Sequence, residues 1–153
     1  MFPVFTQRSR ASAAVLICSL AMLFAAGCAK RIALYDQTAY VHATSLKVES
    51  LALMDKAHDS YGQHEAEITA LVTDIGKAHE YAKGIPKNEI STKLWEILMD
   101  PSRGLLGEFL DRWRQAPIAS DTYLQEKKVQ VAAAFDKIIG LESGKLKPQD
   151  ISE

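Results

Sequence analysis

Cysteine is almost absent from this 153-residue chain, which has two, Cys18 and Cys28. Both lie at or before position 28, so the remainder has no disulfide, no thiolate nucleophile and no cysteine metal ligand. Whatever folds there is held by its core alone. Acidic residues are missing from the start of the chain, the earliest being Asp36. Proline is absent between Leu34 and Lys83, and glycine occurs there only as Gly62 and Gly76. That stretch therefore has little to interrupt a helix. No apolar run is long enough to span a bilayer: Ala11 to Gly27 is 17 residues and rich in alanine, against the roughly 20 required. Neither sign of charge prevails, with 18 Lys and Arg against 19 Asp and Glu. Arg8 and Arg10 are the only cations before Cys28, so the part from Cys28 onward has 16 cations against 19 anions, a net of −3. This balance favours solubility and gives nucleic acid no reason to bind.

The first 27 residues differ in kind from the rest. Arg8 and Arg10 are followed by an apolar middle from Ala11 to Phe24 and then by Ala25, Ala26 and Gly27, directly before Cys28. A basic start, a short apolar middle and a small-residue end make an export signal. Ala25-Ala26-Gly27-Cys28 resembles the lipobox of bacterial lipoprotein precursors, with Ala25 standing where that family usually has leucine. The resemblance covers residues 1–28. It implies that the Cys28 thiol receives a diacylglyceryl group, that a membrane-embedded peptidase cuts between Gly27 and Cys28, and that the new amino terminus is open to acylation. Ala29 next to the cysteine implies delivery to the outer membrane in a diderm cell, because an Asp there resembles the inner-membrane retention signal. Each buried CH₂ contributes about 0.8 kcal/mol, so one acyl chain holds weakly and two or three hold firmly. The expected layout is a removed signal over 1–27, a lipidated tether over 28–34, a helical domain over 35–144 and a polar tail over 145–153 that frays.

Apolar or small residues at Leu51, Met54, Ala57, Tyr61, Ile68, Leu71, Val72, Ile75, Ala78 and Ala82 recur at spacings of three, four and seven. They predict one long helix from Asp36 to Lys83, about 72 Å at 1.5 Å per residue, stopped by Gly84 and Pro86. Tyr61-Gly62 is the natural place for a bend or break, but Met54, Tyr61, Ile68, Ile75 and Ala82 keep a seven-residue step across it and favour continuity. A second helix is expected over Glu89 to Met99 with Asn88 as its cap. Asp100-Pro101 reads as the cap and first turn of a third, carrying Leu105, Leu106, Phe109, Leu110 and Trp113. The last begins near Ser120, carries Leu124, Val131, Phe135, Ile138 and Ile139, and ends at Gly140 or Gly144. No strand alternation is present, so the fold class is all-α: an elongated antiparallel helical bundle with a long first helix, bent if anywhere near Gly62. A break there would instead give a compact bundle of four.

All four histidines, His42, His58, His64 and His79, fall on the first segment, and none stands three or four residues from another, so no metal pair forms on one helix. His64-Glu65 starts like a zinc-protease motif, but Ile68 occupies the second histidine position. His58 and His79, with Glu65 between them, are expected at the edge of the apolar face. His58-Asp59-Ser60 has the letters of a hydrolase triad, but neighbours on a helix diverge by about 100° and cannot line up. Gly104 and Gly107 are expected to let two helices pack closely. No metal or cofactor is expected. Trp95 and Trp113 are core residues by default, and together with Arg103 they are the candidate partner-binding residues if exposed. Lys83, Lys87, Lys93, Arg103, Arg112 and Arg114 make the middle segment basic; this is a solvated face by default, or else a contact for anionic lipid or cell-wall polymer. The apolar excess of the first segment can belong to a single-chain bundle or pair with another copy or protein. The expected function is that of a non-catalytic, outer-membrane-anchored helical lipoprotein that binds an envelope protein or plays a structural part. The alternatives are an envelope enzyme acting on cell-wall or lipid substrates, or a carrier of a small apolar ligand.

Overall fold

The computed structural model describes residues 35–151. The export signal, the cleavage between Gly27 and Cys28, the lipid on Cys28 and its tether lie outside the described residues. Asp36 opens α1 (Gln37–Met54) as a side-chain cap, its Oδ1 accepting the amide of Ala39 at 2.9 Å. α2 (Glu65–Gly84) begins with Glu65 and Glu67, which suit the positive end of a helix, and finishes with Lys83 at the negative end. α3 (Glu89–Met99) and α4 (Leu106–Gln115) follow. α5 (Asp121–Glu142) is capped by Ser120, whose Oγ accepts the Tyr123 amide at 3.2 Å. No strand occurs among the described residues.

Four of the helices form a closed ring: α1 packs on α2 and α5, and α3 packs on the same two. Side-chain pairs fix the register. Lys47 meets Asp136 and Asp55 meets Lys128, so α1 and α5 run antiparallel. Tyr81 reaches back to Asp36 while Lys56 meets Glu67, so α1 and α2 do too. α3 runs against α5, with Ser91 beside Glu142 and Trp95 edge-on to Phe135 at 5.8 Å. α4 touches α3 and a 3-10 turn at Tyr61–Gln63, closing the end where α1 passes into α2. One core runs through the bundle, with Trp113, Phe109, Phe135, Met54 and Ile68 among its fully buried side chains. Burying each such side chain contributes about 1.5–3 kcal/mol.

The single long first helix is corrected: α1 and α2 are separate helices of 18 and 20 residues lying side by side, each about 30 Å long or less. The break spans Asp55 to His64, with the turn at Tyr61–Gln63 inside it. Its physical cause lies elsewhere in the chain. The carbonyl of Asp59 accepts the Trp113 indole N–H at 2.8 Å, and the carbonyl of Ala57 accepts the Ile118 amide at 2.8 Å. Acceptors that a continuous helix would use four residues on are thus taken by α4 and the loop after it. The seven-residue step survives the break because Met54, Ile68, Ile75 and Ala82 enter one core from two helices.

Three further expectations change. Asn88 precedes α3 but makes no cap; its Nδ2 donates to the Ala82 carbonyl at 3.3 Å and to Glu142 at 3.0 Å. Asp100 holds a turn through Ser102, and α4 starts only at Leu106, after Gly104 at φ +72°. The tail folds back instead of fraying as far as residue 151: Leu146 packs on Gly140, its amide donates to the Gly140 carbonyl at 2.9 Å, and Pro148–Asp150 forms a 3-10 turn. The expectation for Gly107 holds, since a Cβ there would collide with the Met99 carbonyl.

Candidate functional site

The most organised polar cluster sits at the α1–α2 break. His64 Nε2 lies 3.0 Å from Asp59 Oδ2 and Nδ1 lies 3.3 Å from Glu67 Oε1, with the imidazole side chain 15% exposed. Its ring stands 5.8 Å from that of Trp113, and Tyr61 packs edge-on to the same indole at 5.7 Å. Arg114 covers the outer side, 5.1 Å from the Tyr61 ring centre and hydrogen-bonded to its hydroxyl at 3.1 Å. The hydrogen bond to Asp59, followed by that to Glu67, raises the His64 pKa above 6.5; Lys56, and then His64, lower that of Glu67. The His64 ring, with a carboxylate at each nitrogen, ties the turn to α2. Both ring nitrogens are engaged.

The other histidines do not converge. His58 pairs with Asp121 at 3.1 Å, His79 stands 3.8 Å from Glu96, and His42 packs edge-on to Tyr81 at 5.4 Å. Glu65 joins neither His58 nor His79, so these three side chains do not share one pocket. Among the described residues no group of three His, Asp or Glu side chains stands close enough to hold a metal. A second cluster is buried at the opposite end. Glu142, 3% exposed, accepts from Asn88 at 3.0 Å and from the Ser91 hydroxyl. Asn88 and Ser91 belong to the amino end of α3, which has no side-chain cap of its own, so this carboxyl group joins two helices.

The candidate partner residues separate. Trp95 and Trp113 are 2% and 0% exposed, core residues that offer no surface, while Arg103 is exposed beside Asp100 at 3.6 Å. The basic middle segment is largely neutralised within single turns, by Lys83–Glu80, Lys93–Glu96, Arg103–Asp100 and Arg114–Asp111. Arg112 lies 4.5 Å over the Tyr123 ring.

A different surface stands out. α1 carries only Lys47 and Glu49 as charged residues along its 18 positions. Its core side presents Ala43, Leu46, Ser50 and Leu53, and the opposite side presents Val41, Val48 and Ala52 to solvent. On α5, Val129 and Ala133 are exposed likewise. Val48 and Val129 are 67% and 69% exposed, the highest values among the exposed large apolar side chains. Between the two helices, Leu51 and the half-buried Ala132 floor the seam. The result is an apolar strip bounded at one end by Lys47–Asp136 at 2.6 Å and at the other by Asp55–Lys128 at 2.5 Å. Contiguous apolar surface with a polar rim is the form of an interaction site. The apolar stripe legible in the first segment is mostly core and shares only Leu51 with this strip, whose α5 half only the 47–136 and 55–128 pairings bring alongside. No family model, curated protein or solved structure matches this chain.

Proposed function

We propose that this protein is an exported lipoprotein, held at the outer membrane by lipid on Cys28, whose helical bundle is a protein-binding or structural module of the cell envelope. The lipobox-like Ala25-Ala26-Gly27-Cys28 supports the anchor. The observation that carries the binding role is the strip of Val48, Leu51, Ala52, Val129, Ala132 and Ala133, uncharged and open on a bundle whose own core is already closed. Covering exposed apolar side chains grouped in this way is favourable. Among the described residues no helix is long and apolar enough to cross a membrane. The test is photocrosslinking in the native envelope from a probe replacing Val48 or Val129. A defined protein adduct from these sites, absent with the probe at Thr73 on the far side of α2, is the expected result. Equal, diffuse labelling from all three positions would contradict the proposal.

A further inference from the structure

The charges that bound the strip have a definite order. Along the α1 edge stands Lys47 and, eight residues or about 12 Å further, Asp55. Along the α5 edge Asp136 lies level with Lys47, and Lys128 lies level with Asp55. The strip is therefore apolar in the middle with alternating charges at its corners. A partner of uniform charge would be repelled at two corners for every two that attract it. A second copy, turned by a two-fold axis parallel to the helices, lays its α5 over this α1. Lys47 then meets the partner's Asp136, and Asp55 meets the partner's Lys128. All corners attract and Val48, Leu51 and Val129 are covered. Glu49 lies about 100° around α1 from Val48, on the α2 side, and does not enter the contact; on α5 the exposed Glu126 and Lys137, one turn before Val129 and one turn after Ala133, stand at the rim of the apolar middle.

We infer that a second copy of this chain covers the α1–α5 strip in a parallel, two-fold homodimer. The parallel sense rests on the proposed lipid anchor. An axis perpendicular to the helices also matches the corners, but only the parallel pairing keeps both α1 starts, and so both anchors, side by side. The interface is symmetric, so each copy contributes the same patch. Ala52, Ala132 and Ala133 let the helix pairs approach closely. The strip is narrow, and attachment of both copies to one bilayer raises their effective concentration.

The test uses the full lipidated chain in vesicles. Gln115→Cys, exposed and remote from the strip, carries donor or acceptor dye, and energy transfer between copies is read at high lipid excess. The expected transfer exceeds that of randomly placed chains. Val48→Lys with Val129→Lys weakens association about tenfold or more, and both sites are exposed enough to leave the fold intact. The decisive variant exchanges one corner pair, Lys47→Glu with Asp136→Lys, which keeps an attractive pair within each chain. In the parallel dimer the exchanged chain pairs with itself as well as the original does, but with the original about tenfold less well. Transfer at the random level, no effect of the lysines, or equal pairing between original and exchanged chains would overturn the dimer. Self-pairing lost on the exchange would overturn its parallel sense. Failure of the anchor is read separately: dye would then react with Cys28 in a chain lacking Gln115→Cys, and sedimentation of the same variants in solution would still decide the dimer.

Discussion

The indole N–H of Trp113 donates to the backbone carbonyl of Asp59 at 2.8 Å, so α4 holds open the break that separates α1 from α2. The same indole is fully buried against Phe109, Tyr61 and His64. Trp113→Phe keeps most of the packing but leaves the carbonyl without its donor, and should lower unfolding free energy by about 1–2 kcal/mol. Trp113→Ala should lower it by about 3–5 kcal/mol. Denaturant titration followed by circular dichroism measures both. Equal losses for the two variants would show that the hydrogen bond and the ring are not separate contributions.

His64 gives stability a pH dependence. The Asp59 carboxylate, and then Glu67, raise its folded-state pKa above 6.5. The folded protein therefore holds the proton more tightly than the unfolded chain. The contribution is complete below the unfolded value and is lost as pH rises through the raised folded value. As pH rises above 6.5 the unfolding midpoint should fall, and His64→Gln should flatten that slope. An unchanged slope in the variant would assign the dependence to another group.

Glu142 is the second latch. Removing its carboxyl leaves the Asn88 and Ser91 donors buried without an acceptor. Glu142→Ala should cost about 1–3 kcal/mol for these unpaired groups, and Glu142→Gln, which keeps an oxygen, should cost less. Hydrogen exchange at the first turn of α3 should accelerate in the alanine variant. Unaltered exchange there would separate the carboxyl from the start of α3.

The glycines divide by their surroundings. A Cβ on Gly107 would meet the Met99 carbonyl, whereas nothing lies within 4 Å of one on Gly62. Gly107→Ala should destabilise by about 1–3 kcal/mol through overpacking. Gly62→Ala should be neutral, or stabilise by about 0.4–1 kcal/mol by restricting the unfolded chain. Thermal melts of both variants check the contrast, and a melt lowered equally in both would refute it.

Much of this fold is legible in the sequence, and the places where it is not have a common cause. The core stripe of α2, from Ile68 through Ala82, and that of α5, from Leu124 through Ile138, follow from helical spacing alone. The break before α2 does not, because residues on either side face one core and so continue the period across Tyr61. Glu65 and Glu67 beyond Ser60 were a local sign of a helix start. The contacts that enforce the break, Trp113 to Asp59 and Ile118 to Ala57, join positions more than fifty residues apart and leave no local pattern. Glu142 is illegible for the same reason, since its donors sit on α3. Of the apolar strip only Leu51 belonged to the helical stripe read from the sequence; Val48, Ala52 and the α5 half needed the register.

The anchored bundle stands or falls on the chemistry of Cys28. Cells expressing the chain are grown with radiolabelled palmitate, and the protein is isolated beside its Cys28→Ser variant. The expected result is label on the original protein and none on the variant, with the original in the membrane fraction. An unlabelled original, or a variant labelled to the same extent, would contradict the lipid anchor.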